Sequence, residues 1–129
     1  MKYLVTIEGF DNLIEEEIII NIDGQQLRCF MPYGSSIQLE IGKQYHINLE
    51  ADIYGELEIK EVGKSVKEIK CINQTFAYYI SGILDIDNSK IESTIDIYLE
   101  KEFLYDYGFL DDKYVEFKVD RFNVEFDAQ

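Results

Sequence analysis

Polar and apolar residues alternate along much of this chain, and that alternation sets the expected architecture. Tyr45, Ile47, Leu49, Ala51 and Ile53 fall on one side of an extended segment, with Gln44, His46, Asn48, Glu50 and Asp52 on the other. Side chains on a strand point to opposite faces with a period of two, so this is a half-buried strand. Ile91, Ile95, Ile97 and Leu99 alternate in the same way with Glu92, Thr94, Asp96 and Glu100. Neither pattern makes a helical stripe. Further strands are expected at 3–8, 15–22, 26–31, 57–62 and 76–84, which are rich in the β-branched and aromatic residues that suit a pleated surface. Helix is expected only as short pieces, at 100–107 and at 65–71.

Turn residues fall between these segments. Asp23-Gly24 is a two-residue hairpin signal, because glycine accepts the positive φ such a turn requires. Gly42-Lys43, Gly63-Lys64, Asp87-Asn88 and Asp111-Asp112 supply further bends, in a spacing that resembles a meander. Near the C-terminus the apolar phase changes: Val115, Phe117 and Val119 are odd-numbered, Phe122, Val124 and Phe126 even. A β-bulge near Asp120-Arg121, bending one long strand, would produce this shift, and so would a strand break. About eight strands ending in a long bent one predict an all-β fold, a small antiparallel barrel-like (OB-like) sheet, with a two-sheet β-sandwich as the alternative.

The 129 residues suit one domain spanning 1–129, and 47% hydrophobic and 14% aromatic residues are enough to fold it. Apolar runs such as Ile18 to Ile20 are far short of the roughly 20 residues of a membrane-spanning helix. No signal-peptide pattern opens the chain, and a cytoplasmic, non-membrane protein is expected. Cys29 and Cys71 lie among apolar neighbours and read as reduced core thiols.

Charge changes the picture most. Asp plus Glu number 26 against 12 Lys plus Arg, a net charge of −14. Residues 85–129 carry 13 acids and 5 bases, whereas residues 43–84 are nearly balanced at 6 and 5. Such a field repels phosphate backbones and anionic lipid and attracts basic surfaces, so a basic protein partner is expected and nucleic acid is not.

No residue pattern points to catalysis. His46 is the single histidine, set between Gln44 and Asn48 on the polar side of a strand with no nucleophile motif beside it. One histidine and two isolated cysteines make no zinc set. Nothing singles out an acid–base pair of carboxylates at the spacing a glycosidase requires. Asp85-Ile86-Asp87-Asn88-Ser89 resembles the start of a calcium loop but lacks its glycine and flanking helices, and reads as a turn. No phosphate-binding or dinucleotide motif occurs, so no cofactor is expected.

A binding surface remains. The connection 100–112 mixes acids with aromatics, and its expected partner-binding residues are Glu100, Glu102, Tyr105, Asp106, Tyr107, Asp111 and Asp112. Tyrosine offers large contact area at low entropic cost, and carboxylates steer a basic partner. The competing expectation is that Phe103, Leu104 and Phe109 plug one end of the barrel. Tyr33, Tyr54, Tyr78, Tyr79 and Tyr98 are candidates for a wider aromatic face. Small size, acidity and a β scaffold resemble, in composition alone, bacterial toxin-neutralising immunity proteins. The expected function is thus a non-catalytic protein-binding module, such as an immunity-type inhibitor of a basic toxin or nuclease. A small-ligand-binding barrel and an accessory subunit of a larger assembly are the alternatives.

Overall fold

The computed structural model describes residues 2–10, 16–32, 34–35 and 37–127, and the chain is all-β. It falls into two compact units. The first comprises residues 1–50 and 121–129, the second residues 51–120. The second unit is therefore inserted in sequence between two strands of the first.

The first unit is a closed five-stranded barrel. Its strands are β1 (Lys2–Phe10), β2 (Glu17–Ile22), β3 (Gln25–Phe30), β4 (Gln44–Asp52) and, from the far end of the chain, β11 (Arg121–Phe126). They run in the order β1-β2-β3-β11-β4 and close back on β1. Only β1 to β3 form a meander; β11 lies beside β3 in parallel, with Asn123 opposite Phe30. A five-stranded Greek-key barrel of this kind is the OB-like arrangement expected from the sequence.

Local chemistry explains the closure. Asp23 and Gly24 both take positive φ, 50° and 91°, the backbone of a tight hairpin turn joining β2 to β3. A register shift between Ile7 and Gly9 bends β1. Its first half pairs with β4, from Lys2 opposite Asn48 to Thr6 opposite Gln44, and its second half with β2. The bulge that lets one strand serve two neighbours is thus in β1. Val5, Ile7, Ile20, Leu27, Ile47 and Phe122 are among the side chains that fill the interior. Arg121 lies over the Phe30 ring at 4.2 Å, a cation–π contact across the parallel pair.

The second unit is an open sheet in the order β5-β10-β7-β8-β9, with β6 also on β7. Its strands are β5 (Lys60–Glu61), β6 (Glu68–Cys71), β7 (Tyr78–Asp85), β8 (Lys90–Glu92), β9 (Asp96–Tyr98) and β10 (Tyr114–Val119). Between β9 and β10 run a single helical turn, α1 (Lys101–Leu104), and a 3-10 segment, Tyr105–Leu110.

Several expectations are redistributed. Five of the strands close the barrel and the rest build the second sheet, so about eight strands do not share one barrel. The phase change at Asp120 is a strand break: β10 ends at Val119 in one sheet and β11 begins at Arg121 in the other. The 91–99 strand is a hairpin, with Ile91 opposite Ile97, and Lys90 hydrogen-bonds Asp96 across it at 3.1 Å. The 65–71 helix is instead strand β6, whose Ile69 is buried opposite Ile80. Only Lys60 and Glu61 of the 57–62 segment pair as strand. Cys29 is buried, and desolvation pushes its thiol pKa up; Cys71 is exposed, contrary to the core reading, and donates to the Thr75 carbonyl at 3.3 Å. Glu15 and Tyr33 lie outside the described residues.

Candidate functional site

The acid-rich connection between β9 and β10 is anchored through its middle and at its C-terminal end. Leu104 and Leu110 are buried and fix it to the second unit's core. The Tyr107 hydroxyl donates to the Leu57 carbonyl at 2.7 Å. The Asp111 carboxylate accepts the Ile86 N–H at 3.0 Å, and the Asp112 N–H donates to the Leu84 carbonyl at 2.8 Å. Asp112 adopts φ 66°, the left-handed conformation that aspartate tolerates better than most side chains. Ile86 in turn opens a turn closed by Asp85, whose carboxylate accepts both the side chain and the N–H of Asn88. Those bonds stabilise the anion and hold the Asp85 pKa below the usual carboxylate range. The calcium-like sequence is therefore a turn that supports the connection.

Beside these anchors three aromatic rings are presented outward. Tyr105 is 74% exposed, Phe109 73% and Phe103 42%. A ring this exposed on an anchored backbone leaves apolar area uncovered with little backbone ordering cost on binding. The plug expectation is therefore not met: Leu104 is buried, but in the second unit and not in the barrel, and Phe103 and Phe109 are exposed. Around the rings the carboxylates of Glu100, Glu102, Asp106 and Asp112 are exposed, and none enters an ion pair or side-chain hydrogen bond among the described residues.

The predicted residues thus divide in two. Glu100, Glu102, Tyr105, Asp106 and the Asp112 carboxylate are free to meet a partner, whereas Tyr107 and Asp111 shape the loop that carries them. Beside this surface lies a groove of about 310 Å³, lined by Ile86, Asp87, Ser89, Lys101, Leu104 and Tyr105. Its apolar floor and charged side chains suit one anchoring side chain of a partner. The sequence reading missed the groove, because the β7–β8 turn and α1 are brought together only by the fold.

Of the tyrosines proposed for a wider aromatic face, Tyr54 and Tyr79 are exposed at 61% and 45%, Tyr98 is half-buried and Tyr78 is buried. Both exposed rings line a second groove, of about 290 Å³, in the same unit. His46 is exposed on β4, and its carbonyl accepts the Asp127 N–H at 3.1 Å. Among the described residues no three His, Cys, Asp or Glu side chains are grouped to hold a metal ion, and no helix is long and apolar enough to cross a membrane.

No curated protein and no solved structure matches the chain. The chain belongs to the family described as uncharacterised conserved protein UCP019853, whose model matches residues 1–127.

Proposed function

We propose that this protein is a non-catalytic binding module that captures a protein with a basic surface through the connection 100–112. An immunity-type inhibitor of a basic toxin or nuclease, acting in the cytoplasm, is the specific form of this reading. The observation that carries it is the pairing of strongly exposed rings, Tyr105 and Phe109, with unpaired carboxylates on an anchored backbone. Aromatic side chains seated in a partner's pockets supply most of an interface's affinity, and the surrounding charge supplies the encounter rate and the choice of partner. A net charge of −14 extends that attraction to about a Debye length, roughly 8–10 Å at physiological salt.

Affinity capture with the tagged protein, followed by a salt series on the complex, tests the reading. Changing Glu100, Glu102 and Asp106 to glutamine or asparagine and Asp112 to asparagine is expected to slow association roughly tenfold and to flatten its salt dependence. Asp111→Asn belongs in the control set, since an amide oxygen can still accept the Ile86 N–H. Association that ignores both salt and the four substitutions contradicts the proposal.

A further inference from the structure

The groove of about 290 Å³ is a consequence of chain counting at the edge of the second sheet. On its β5 side, β10 pairs through Val115 with Glu61 and Glu116 with Lys60, and its Tyr114 carbonyl accepts the Val62 N–H at 2.9 Å. Four residues beyond Glu116, the Asp120 N–H donates to the Asp52 carbonyl at 2.9 Å. Between these two fixed points β10 spends residues 117–119, while the facing chain spends residues 53–59. A ladder matches residue for residue, so the surplus must bow away from β10 and leave a gap.

The bow is held in shape. The Tyr54 N–H donates to Asp120 Oδ2 at 2.6 Å at one end, and the Leu57 carbonyl accepts from the Tyr107 hydroxyl near the other. Gly55 supplies the turn with φ 78°. Leu57 and Ile59 are buried, which sends the alternate residues Glu56, Glu58 and Lys60 outward. The gap is therefore a pre-formed feature of the unit.

Its lining is chemically selective. Tyr54 and Tyr79 bring exposed rings, and Glu56, Glu58 and Glu116 bring carboxylates that enter no ion pair among the described residues. Of the two lysines at the groove, Lys118 is paired with Asp120 at 3.4 Å. With four acids against two bases, the groove favours a cation. Its volume lies just below the range for small-molecule pockets, roughly 300–1,000 Å³, which fits one long side chain better than a larger ligand. Rings beside carboxylates suit guanidinium in particular, because its plane stacks on an aromatic face while its donors fork onto a carboxylate.

We infer that this groove is a subsite for an arginine side chain of the basic partner, separate from the connection 100–112. The inference rests on the capture reading for its source of arginine, but it is tested without the partner. A blocked Gly-Arg-Gly tripeptide is titrated into the full chain and followed by amide NMR shifts, beside the same peptide carrying lysine or citrulline. The arginine peptide is expected to shift the Tyr54, Tyr79 and Lys118 amides saturably. Citrulline, isosteric but neutral, is expected to bind roughly tenfold more weakly, and lysine several-fold more weakly.

Tyr54→Ala and Glu116→Gln should each weaken the arginine peptide, by roughly tenfold and several-fold, while the four amide substitutions in 100–112 leave it unchanged. Tyr54 is in the exposed bow, so its replacement tests the site even if Tyr79→Ala disturbs the sheet. No saturable shift at millimolar peptide, equal binding of citrulline, or indifference to Tyr54→Ala overturns the inference. Peptide binding that persists while partner capture fails leaves the subsite standing and removes the capture reading alone.

Discussion

Gly82→Ala is expected to destabilise the second unit by about 3 kcal/mol, the high end of overpacking costs, because a β-carbon there has nowhere to go. Gly82 lies at the centre of β7, opposite Val115 of β10 on one side and next to β8 on the other. A Cβ built on its backbone falls 2.2 Å from the Glu92 carbonyl oxygen and 2.8 Å from the Glu92 carbonyl carbon. The obstacle is main chain, which cannot rotate aside. The approach is close because β8 leaves β7 here: the Ser93 hydroxyl donates to the Ser81 carbonyl at 2.6 Å in place of a continued ladder. To admit a methyl group, β8 must detach from β7 and carry the β8–β9 hairpin with it. Urea unfolding followed by a probe in the second unit should show the midpoint falling sharply. Gly63→Ala and Gly108→Ala, where an added Cβ meets nothing within 4 Å, should change it by less than about 1 kcal/mol. An equally small effect at Gly82 would show that β8 does not pass over β7 at this distance.

Arg28→Met should produce a loss of similar size in the barrel. Glu17, at 2% exposure, is the buried charged residue of the described core, and Arg28 Nε meets its Oε1 at 2.8 Å across β2 and β3. Methionine keeps the length and the apolar stem of arginine and removes its charge. Deleting one partner of a fully buried ion pair typically costs about 3–5 kcal/mol; with Arg28 one-third exposed and Glu17 keeping other contacts, a loss of about 2–3 kcal/mol is expected. Replacing both, as Glu17→Gln with Arg28→Met, should be distinctly less costly than Arg28→Met alone. The four members of this cycle, compared by chemical denaturation, give the coupling directly. A double variant no more stable than Arg28→Met would contradict the assignment of the loss to Glu17.

How far the sequence reveals this fold depends on what alternation can register. It identifies β4 cleanly, since Ile47 and Leu49 are buried and Glu50 is exposed as the period of two requires. The Asp23-Gly24 turn is equally legible, because its chemistry is local. The 91–99 segment shows the limit: Ile91 and Ile97 share a face in a continuous strand, and they also share one when paired across a hairpin. Alternation gives the same pattern for both. At Asp120 the phase change marks a discontinuity truly, but a bulge and a handover between two sheets leave the same trace. Ile69 is a single buried residue in a four-residue strand, too few positions for any period to show.

The candidate site was legible in kind and not in detail. An acid-aromatic connection can be read from residues 100–112, but which rings face outward depends on Leu104 and Leu110 taking the buried positions. Neither groove had a linear signal. One needs α1 beside the β7–β8 turn, and the other arises from a mismatch in residue count between segments some 60 positions apart in sequence. Tyr54 and Tyr79 were visible as candidates, and their shared groove was not.

In the proposed complex the exposed rings of 100–112 anchor a basic partner whose approach the carboxylates steer. This anchoring is tested most directly by measuring the dissociation constant of the captured partner for the wild-type chain and for Tyr105→Ala/Phe109→Ala, each at low and high salt. The double substitution is expected to weaken binding at least roughly thirtyfold at both salt concentrations, the scale of one full hot spot, while added salt weakens both proteins alike. A double variant that binds as tightly as the wild-type chain would contradict that anchoring.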